Sequence, residues 1–218
     1  MSTPLETTRN DLLKETVITI QGALNKSFLL GLTEGTNPNS GILCGFKLGE
    51  SSEIVSEVSK FINPRHMNGL DIGSGGNPIF PQAISIDNGS GLLGPLIQIH
   101  NDARNLSMFN DSSLDYVFSS HCWEDFTENE KPIVLTEWIR VIKKGGFLML
   151  YLPDESRYRA SCAIENIQPN IHHKDVNFNL DKTRSIIQSD DYLRVTLKEI
   201  YSIPSSGAYS FFIVFTKN

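Results

Sequence analysis

"GLDIGSGGNPIFPQAISID", residues 69–87, decides the fold. An apolar run falls into a glycine cluster, and a second apolar run ends on Asp87. Short apolar runs bounded by turn residues read as strands buried on both faces. The glycines stand where the chain leaves the carboxyl end of the first strand, and in an open parallel sheet ligands bind at that end.

Outward from this stretch, further strands are expected at 96–100, 114–120 and 146–152. "KPIVLTEWIRVIKKGG" reads as a helix with Pro132 in its first turn and Gly145–Gly146 as its stop. "SSEIVSEVSKFINP" is expected to be another, capped by Ser51 or Ser52, with a stripe of Ile54, Val55, Val58, Phe61 and Ile62. A weaker helical stripe runs through Leu13, Val17, Ile20, Leu24 and Phe28, and a short helix is expected near 181–189. "YLRVTLKEIYS" and "SFFIVFTK", joined by a "PSSG" turn, suit an antiparallel pair at the sheet edge. Strands alternating with helices give an α/β fold: a Rossmann-like, doubly wound sheet, mostly parallel.

The glycines do not suit a phosphate. In a dinucleotide fingerprint the third glycine position is Pro78 here, and Pro81 follows, so no long helix can start and aim its dipole at a pyrophosphate. No Gly-Lys-Ser/Thr follows either. Three acids at strand ends, Asp71, Asp87 and Asp102, call instead for a ligand with amines and hydroxyls. S-adenosylmethionine has an ammonium, a ribose and an exocyclic amine, and its sulfonium is positive.

Composition agrees. The 218 residues are 39% hydrophobic and 20% charged, with a formal net charge of −6, enough for one domain with a real core. Scattered Lys and Arg on an acidic chain argue against a nucleic-acid partner. Three cysteines without a CxxC argue for a reducing, cytoplasmic setting and against a thiolate metal site. No apolar run approaches the roughly 18 residues of a membrane span. The "MSTPLETTRNDLLKE" start reads as neither a signal nor a transit peptide.

Taken in order, "LDIGSGGNP…ISID…NDARNL…SLDYVFSSHCWEDF…EWIRVIKKGGFLMLYLP" resembles the class I S-adenosylmethionine-dependent methyltransferases over roughly residues 68–153. Within them it is closest to the branch with a short first connection and a D-x-G-x-G-x-N-P motif. The resemblance implies a seven-stranded sheet with an antiparallel terminal strand, and S-adenosyl-L-methionine as cofactor. It places Asp71, Gly73, Ser74 and Gly75 against the methionine part, and Asp87 with Asn88 at the ribose. Asp102 and the Ala103 amide would meet the adenine, and Ser119 the channel near the sulfonium.

One departure bears on chemistry. Many members read H-x-x-E-H after the fourth strand, whereas this chain has His121, Cys122, Trp123, Glu124 and Asp125. The second imidazole is missing. Candidate bases are His121 and the adjacent His172 and His173, and a base is needed only for an unactivated hydroxyl or a protonated amine. Neighbouring histidines on an extended loop point apart, so no metal site is expected of them. Trp123 suits either ring stacking or core packing, Cys122 burial, and "SRYR" at 156–159 a solvated loop, with contact to an anionic substrate as the alternative.

The chain is thus expected to be one domain, 1–218, with an N-terminal lid at 1–45 and a substrate-pocket insertion at 154–180. Its expected activity is methyl transfer to an oxygen or nitrogen of a small-molecule metabolite, without nucleic acid or membrane as partner. A D/N-P-P-Y tetrapeptide, the mark of base-amine methylation, is absent. Oligomeric state is open, a homodimer included. The alternatives are non-methylating chemistry on the same cofactor and a catalytically silent cofactor-binding subunit.

Overall fold

The computed structural model of the chain describes residues 51, 54–89, 99–188 and 209–218, with the backbone alone at 42–43, 46–47, 193–194 and 200–201. The expected helix at 9–30, most of the 1–45 lid, residues 96–98 and the "PSSG" turn lie outside the described residues.

In chain order, a two-stranded antiparallel ladder of β1 (Ile42–Leu43) and β2 (Phe46–Lys47) precedes the short helix α1 (Val55–Val58). Then come β3 (Gly69–Ile72), β4 (Ile84–Asp87), β5 (Ile99–His100) and β6 (Leu114–Ser120). A 3-10 turn, Trp123–Asp125, leads to α2 (Lys131–Val141) and β7 (Ile142–Pro153). Helices α3 (Glu155–Glu165) and α4 (Leu180–Gln188) follow, and β8 (Leu193–Arg194), β9 (Ile200–Tyr201) and β10 (Ser210–Lys217) close the chain.

The main sheet runs β5-β4-β3-β6-β7-β10. The first five are parallel neighbours, while β10 is antiparallel to β7. The two-residue strands β8 and β9 both lie antiparallel along the outer edge of β10. The chain winds outward from β3 to β5, then returns to place β6 on the other side of β3. That reversal puts a switch point between the carboxyl ends of β3 and β6, where ligands of such sheets bind.

Both faces of the sheet are covered. One core joins Leu70, Ile72, Val117, Leu148 and Leu150 to Val134, Trp138 and Ile139 of α2 and to Ile187 of α4. The other joins Tyr116, Phe118, Met149 and Phe212 to Ile54, Val58 and Ile62. Trp138 is fully buried and its indole N–H donates to the Ala103 carbonyl at 2.9 Å, so truncating it would cost about 3–5 kcal/mol. Among the described residues no helix is long and apolar enough to cross a membrane.

Three expectations are corrected. Gly145–Gly146 do not stop α2; the helix ends at Val141 and Ile142 is already extended. Gly145, at φ +79°, lies in β7 at an irregularity between the Leu114–Ile142 and Tyr116–Phe147 pairings, where an extra stretch of chain needs left-handed backbone. The stripe from Ile54 to Ile62 packs as expected, but its regular helix is one turn long and starts after Ile54, which supplies no side-chain cap; Ser52 lies outside the described residues. "SRYR" is not a loop. It lies in α3, whose N-cap Asp154 accepts from the Arg157 amide at 3.2 Å.

Candidate active site at the switch point

The loop leaving β3 is held by carboxylates from beneath and beside. Asp71, 1% exposed, accepts the Ile79 amide on Oδ2 at 2.5 Å, while its Oδ1 is buried with no hydrogen bond. Burial, and secondarily the charge of Asp87, push the Asp71 carboxyl up to about 8. Asp87, at the end of β4, accepts from the Gly75 amide at 2.9 Å and from the Gly89 amide at 2.8 Å. The Ser74 hydroxyl shares a hydrogen bond with Ser85 at 2.6 Å.

Gly73 has two reasons to be glycine. Its φ is +73°, and a Cβ there would lie 2.6 Å from the Cβ of Cys122. Cys122 therefore packs on the loop. Its thiol is pushed well above the ordinary range by burial and by the charges of Glu124, Asp125 and Asp87. Burial is the larger of these causes, and the three charges add to it.

The remaining cofactor candidates are placed as follows. Asn88 is exposed beside Asp87. Asp102 is tied to Arg104, whose backbone amide and Nε donate to Oδ1 at 2.8 and 2.9 Å, and these bonds hold its carboxyl below the usual range. Ala103 packs against the α2 core. Ser119 is fully buried and its hydroxyl donates to the Ile72 carbonyl at 2.9 Å, locking β6 to β3. Trp123 is a core residue, fully buried edge-on to Phe178, rather than a stacking platform.

Beyond β6, two of the three candidate histidines come together. His121, in left-handed backbone at φ +49°, shares a hydrogen bond between Nε2 and the Ser210 hydroxyl at 3.1 Å and packs edge-on against Tyr151 and Tyr209. His173 is buried, with Nδ1 2.8 Å from Glu155 Oε2 and its ring 4.9 Å from that of Tyr158. Its neighbour His172 is exposed, and its charge acts on Asp125. Between the two rings stands Glu124, fully buried. Sequence reasoning missed Glu124 and Glu155 as site residues; the signal for Glu124 was its place in His121-x-x-Glu124. Asp125 beside them is pushed up to about 6, by burial first and Glu124 second. Among the described residues no cluster of His, Cys, Asp and Glu could hold a metal ion.

Residues 70–150 match the family model described as a methyltransferase domain. No curated protein matches the chain in sequence. Among solved structures, an S-adenosylmethionine-dependent methyltransferase from Archaeoglobus fulgidus is similar, at 16% identity over 77% of this chain and 92% of that one, with TM-score 0.57. Another from Thermotoga maritima, described as a possible histamine N-methyltransferase, gives 17%, 77%, 89% and 0.54. A third, from Aquifex aeolicus, gives 14%, 78%, 94% and 0.54. These likenesses concern the fold. The loop fits the ligand of such enzymes on its own terms: a buried carboxyl oxygen of Asp71 without a partner suits an ammonium, and the neighbouring acids Asp87, Glu124 and Asp125 suit a positive sulfur. Residues 70–150 thus match a methyltransferase domain, and the described residues share the fold of S-adenosylmethionine-dependent methyltransferases.

Proposed function

We propose that the protein transfers the methyl group of S-adenosylmethionine to an oxygen or nitrogen of a small-molecule metabolite. The observation that carries this is geometric: Asp71, beneath the glycine loop, keeps one buried carboxyl oxygen without a partner while Asp87 holds the Gly75 amide, and burial first, then the charges of Glu124, Asp125 and Asp87, keep the adjoining Cys122 thiol up. Phosphate cofactors are repelled there and a cation is drawn in.

When bound, S-adenosylmethionine supplies a methyl carbon already activated by its positive sulfur. The chain's own task is to position and to exclude water. Asp71, Gly73, Ser74 and Gly75 would hold the methionine part, with the spare Asp71 oxygen for the ammonium. Asp87 and Asn88 would take the ribose. Asp102 and Ala103 would take the adenine edge, with Asp102 kept ionised by Arg104. Ser119, its hydroxyl committed to Ile72, would contribute packing beneath the channel rather than a contact.

The insertion at 154–180 supplies α3 and the His173 loop, a cover whose size suits a small acceptor. β8 and β9, both antiparallel to β10, stand where the expected seventh strand would lie. Calorimetric titration with S-adenosylmethionine, its demethylated product and NADH tests the assignment. Micromolar binding of the first two and none of NADH is expected. Absence of binding to both sulfur compounds would overturn it.

A further inference from the structure

Glu124 is 0% exposed, and neither of its oxygens makes a hydrogen bond. It lies between two imidazoles, with Oε1 3.5 Å from His121 Nδ1 and 3.8 Å from His173 Nε2. The far nitrogen of each ring is engaged by another element: Ser210 of β10 for His121 and Glu155 of α3 for His173. Glu155 in turn pairs with Arg159 at 2.8 Å. The other titratable groups facing this unit are Cys122 and Asp125 on the 3-10 turn side, Tyr151 of β7, Tyr158 of α3, and Tyr209 beside β10. The imidazole that the sequence lacks at Asp125 therefore arrives from the insertion, as His173.

A buried carboxylate without hydrogen bonds is costly. Here it coincides with a second cost, the left-handed backbone of His121, and such outliers gather at functional sites. Both costs fall at the carboxyl end of the central strand β6.

We propose that Glu124 is the positioning residue of a proton-accepting unit, His121–Glu124–His173, and that the methyl acceptor is a group with a proton to lose, a hydroxyl or an ammonium. This rests on the methyl-transfer function above. Glu124 beside Nδ1 favours the His121 tautomer with its proton there, which leaves Nε2 as the accepting nitrogen. In the step, the acceptor's O–H or N–H bond breaks, its electron pair stays on the heteroatom, and the proton goes to Nε2, where the Ser210 hydroxyl now sits. Glu124 offsets the positive charge that forms on the ring. His173, held from behind by Glu155, keeps Glu124 facing His121.

The test is nitrogen-15 NMR of the imidazoles in the cofactor-free full chain, titrated through neutral pH, in the natural protein and in Glu124→Gln. The expected result is an Nδ1-protonated His121 whose tautomer balance and titration midpoint both change in E124Q. His173→Gln serves the same comparison should E124Q fail to fold. A His121 tautomer and midpoint indifferent to both substitutions would overturn the proposal, whether or not S-adenosylmethionine binds. With labelled cofactor, 4-methylphenol or benzylamine is expected to accept methyl. E124Q should lower kcat about tenfold or more, with an altered pH profile and a much smaller loss of cofactor affinity. Methylation of dimethyl sulfide in place of both probes would overturn the acceptor class.

Discussion

The Gly75 amide donates to Asp87 Oδ2 at 2.9 Å, so the carboxylate at the end of β4 also staples the glycine loop after β3. Asp87→Ala removes both roles, and cofactor affinity should fall by about 1–3 kcal/mol, read by calorimetry. Asp87→Asn, which keeps an acceptor for Gly75, should lose less. Unchanged affinity in the alanine variant would remove Asp87 from the site.

Asp71 should make stability fall with rising pH. Its folded-state pKa is raised from 3.8 to about 8, so between those values the folded chain holds the proton that the unfolded chain releases. The neutral carboxyl favours folding at the acidic end of that window, and the advantage is lost as pH climbs through it. Asp71→Asn should flatten this part of the Tm-against-pH curve. An ammonium bound at the spare oxygen would favour the ionised form, so cofactor affinity should rise with pH toward 8 and then level.

Gly73→Ala should destabilise the fold by more than the roughly 1–2 kcal/mol of left-handed backbone, because the new Cβ meets that of Cys122 at 2.6 Å. Cys122→Ala, which keeps the Cβ, should fail to rescue it, while Cys122→Gly should rescue in part. Thermal denaturation of the single and double variants decides.

Lys131 is fully buried, 2.9 Å from Asp175 and 4.8 Å above the Phe178 ring. Burial alone would raise the Asp175 carboxyl, but Lys182 and Lys131 outweigh it and hold the group well below its ordinary range. Asp175→Ala leaves the buried Lys131 charge only the exposed Glu128, 3.5 Å away, and should cost about 3 kcal/mol in urea unfolding. Lys131→Met should cost much less, because Lys182 remains 2.7 Å from Asp175.

His121→Ala should leave cofactor affinity nearly intact while lowering turnover. Equal turnover would retire His121 as base and as acceptor-positioning residue.

The central strands were legible to the residue: β3, β4 and β6 begin and end where their apolar runs meet turn residues. The end of α2 was not, because a glycine pair is a helix stop by propensity while here it serves a bulge; a Cβ on Gly146 would meet the Asp115 carbonyl at 2.6 Å. Helix α3 hid behind its charges, although Asp154 as a cap was there to be read. Asp71, Asp87 and the glycines were found through motif order. Glu124 between two rings was not, since periodicity carries nothing about a histidine approaching from 49 positions further along.

The loop bearing His173 is sewn down on both sides: before it the Asn170 amide donates to the Tyr158 hydroxyl at 2.8 Å, and after it Asp175 pairs with Lys131 of α2 and the Phe178 carbonyl accepts the Glu155 amide at 2.8 Å. Such stitching makes the loop part of the same cooperative unit as the sheet, so its amides should exchange with solvent only in openings that cost much of the global stability. The entropy of arranging the acceptor's surroundings is then spent once, during folding, and an incoming molecule meets a surface already set.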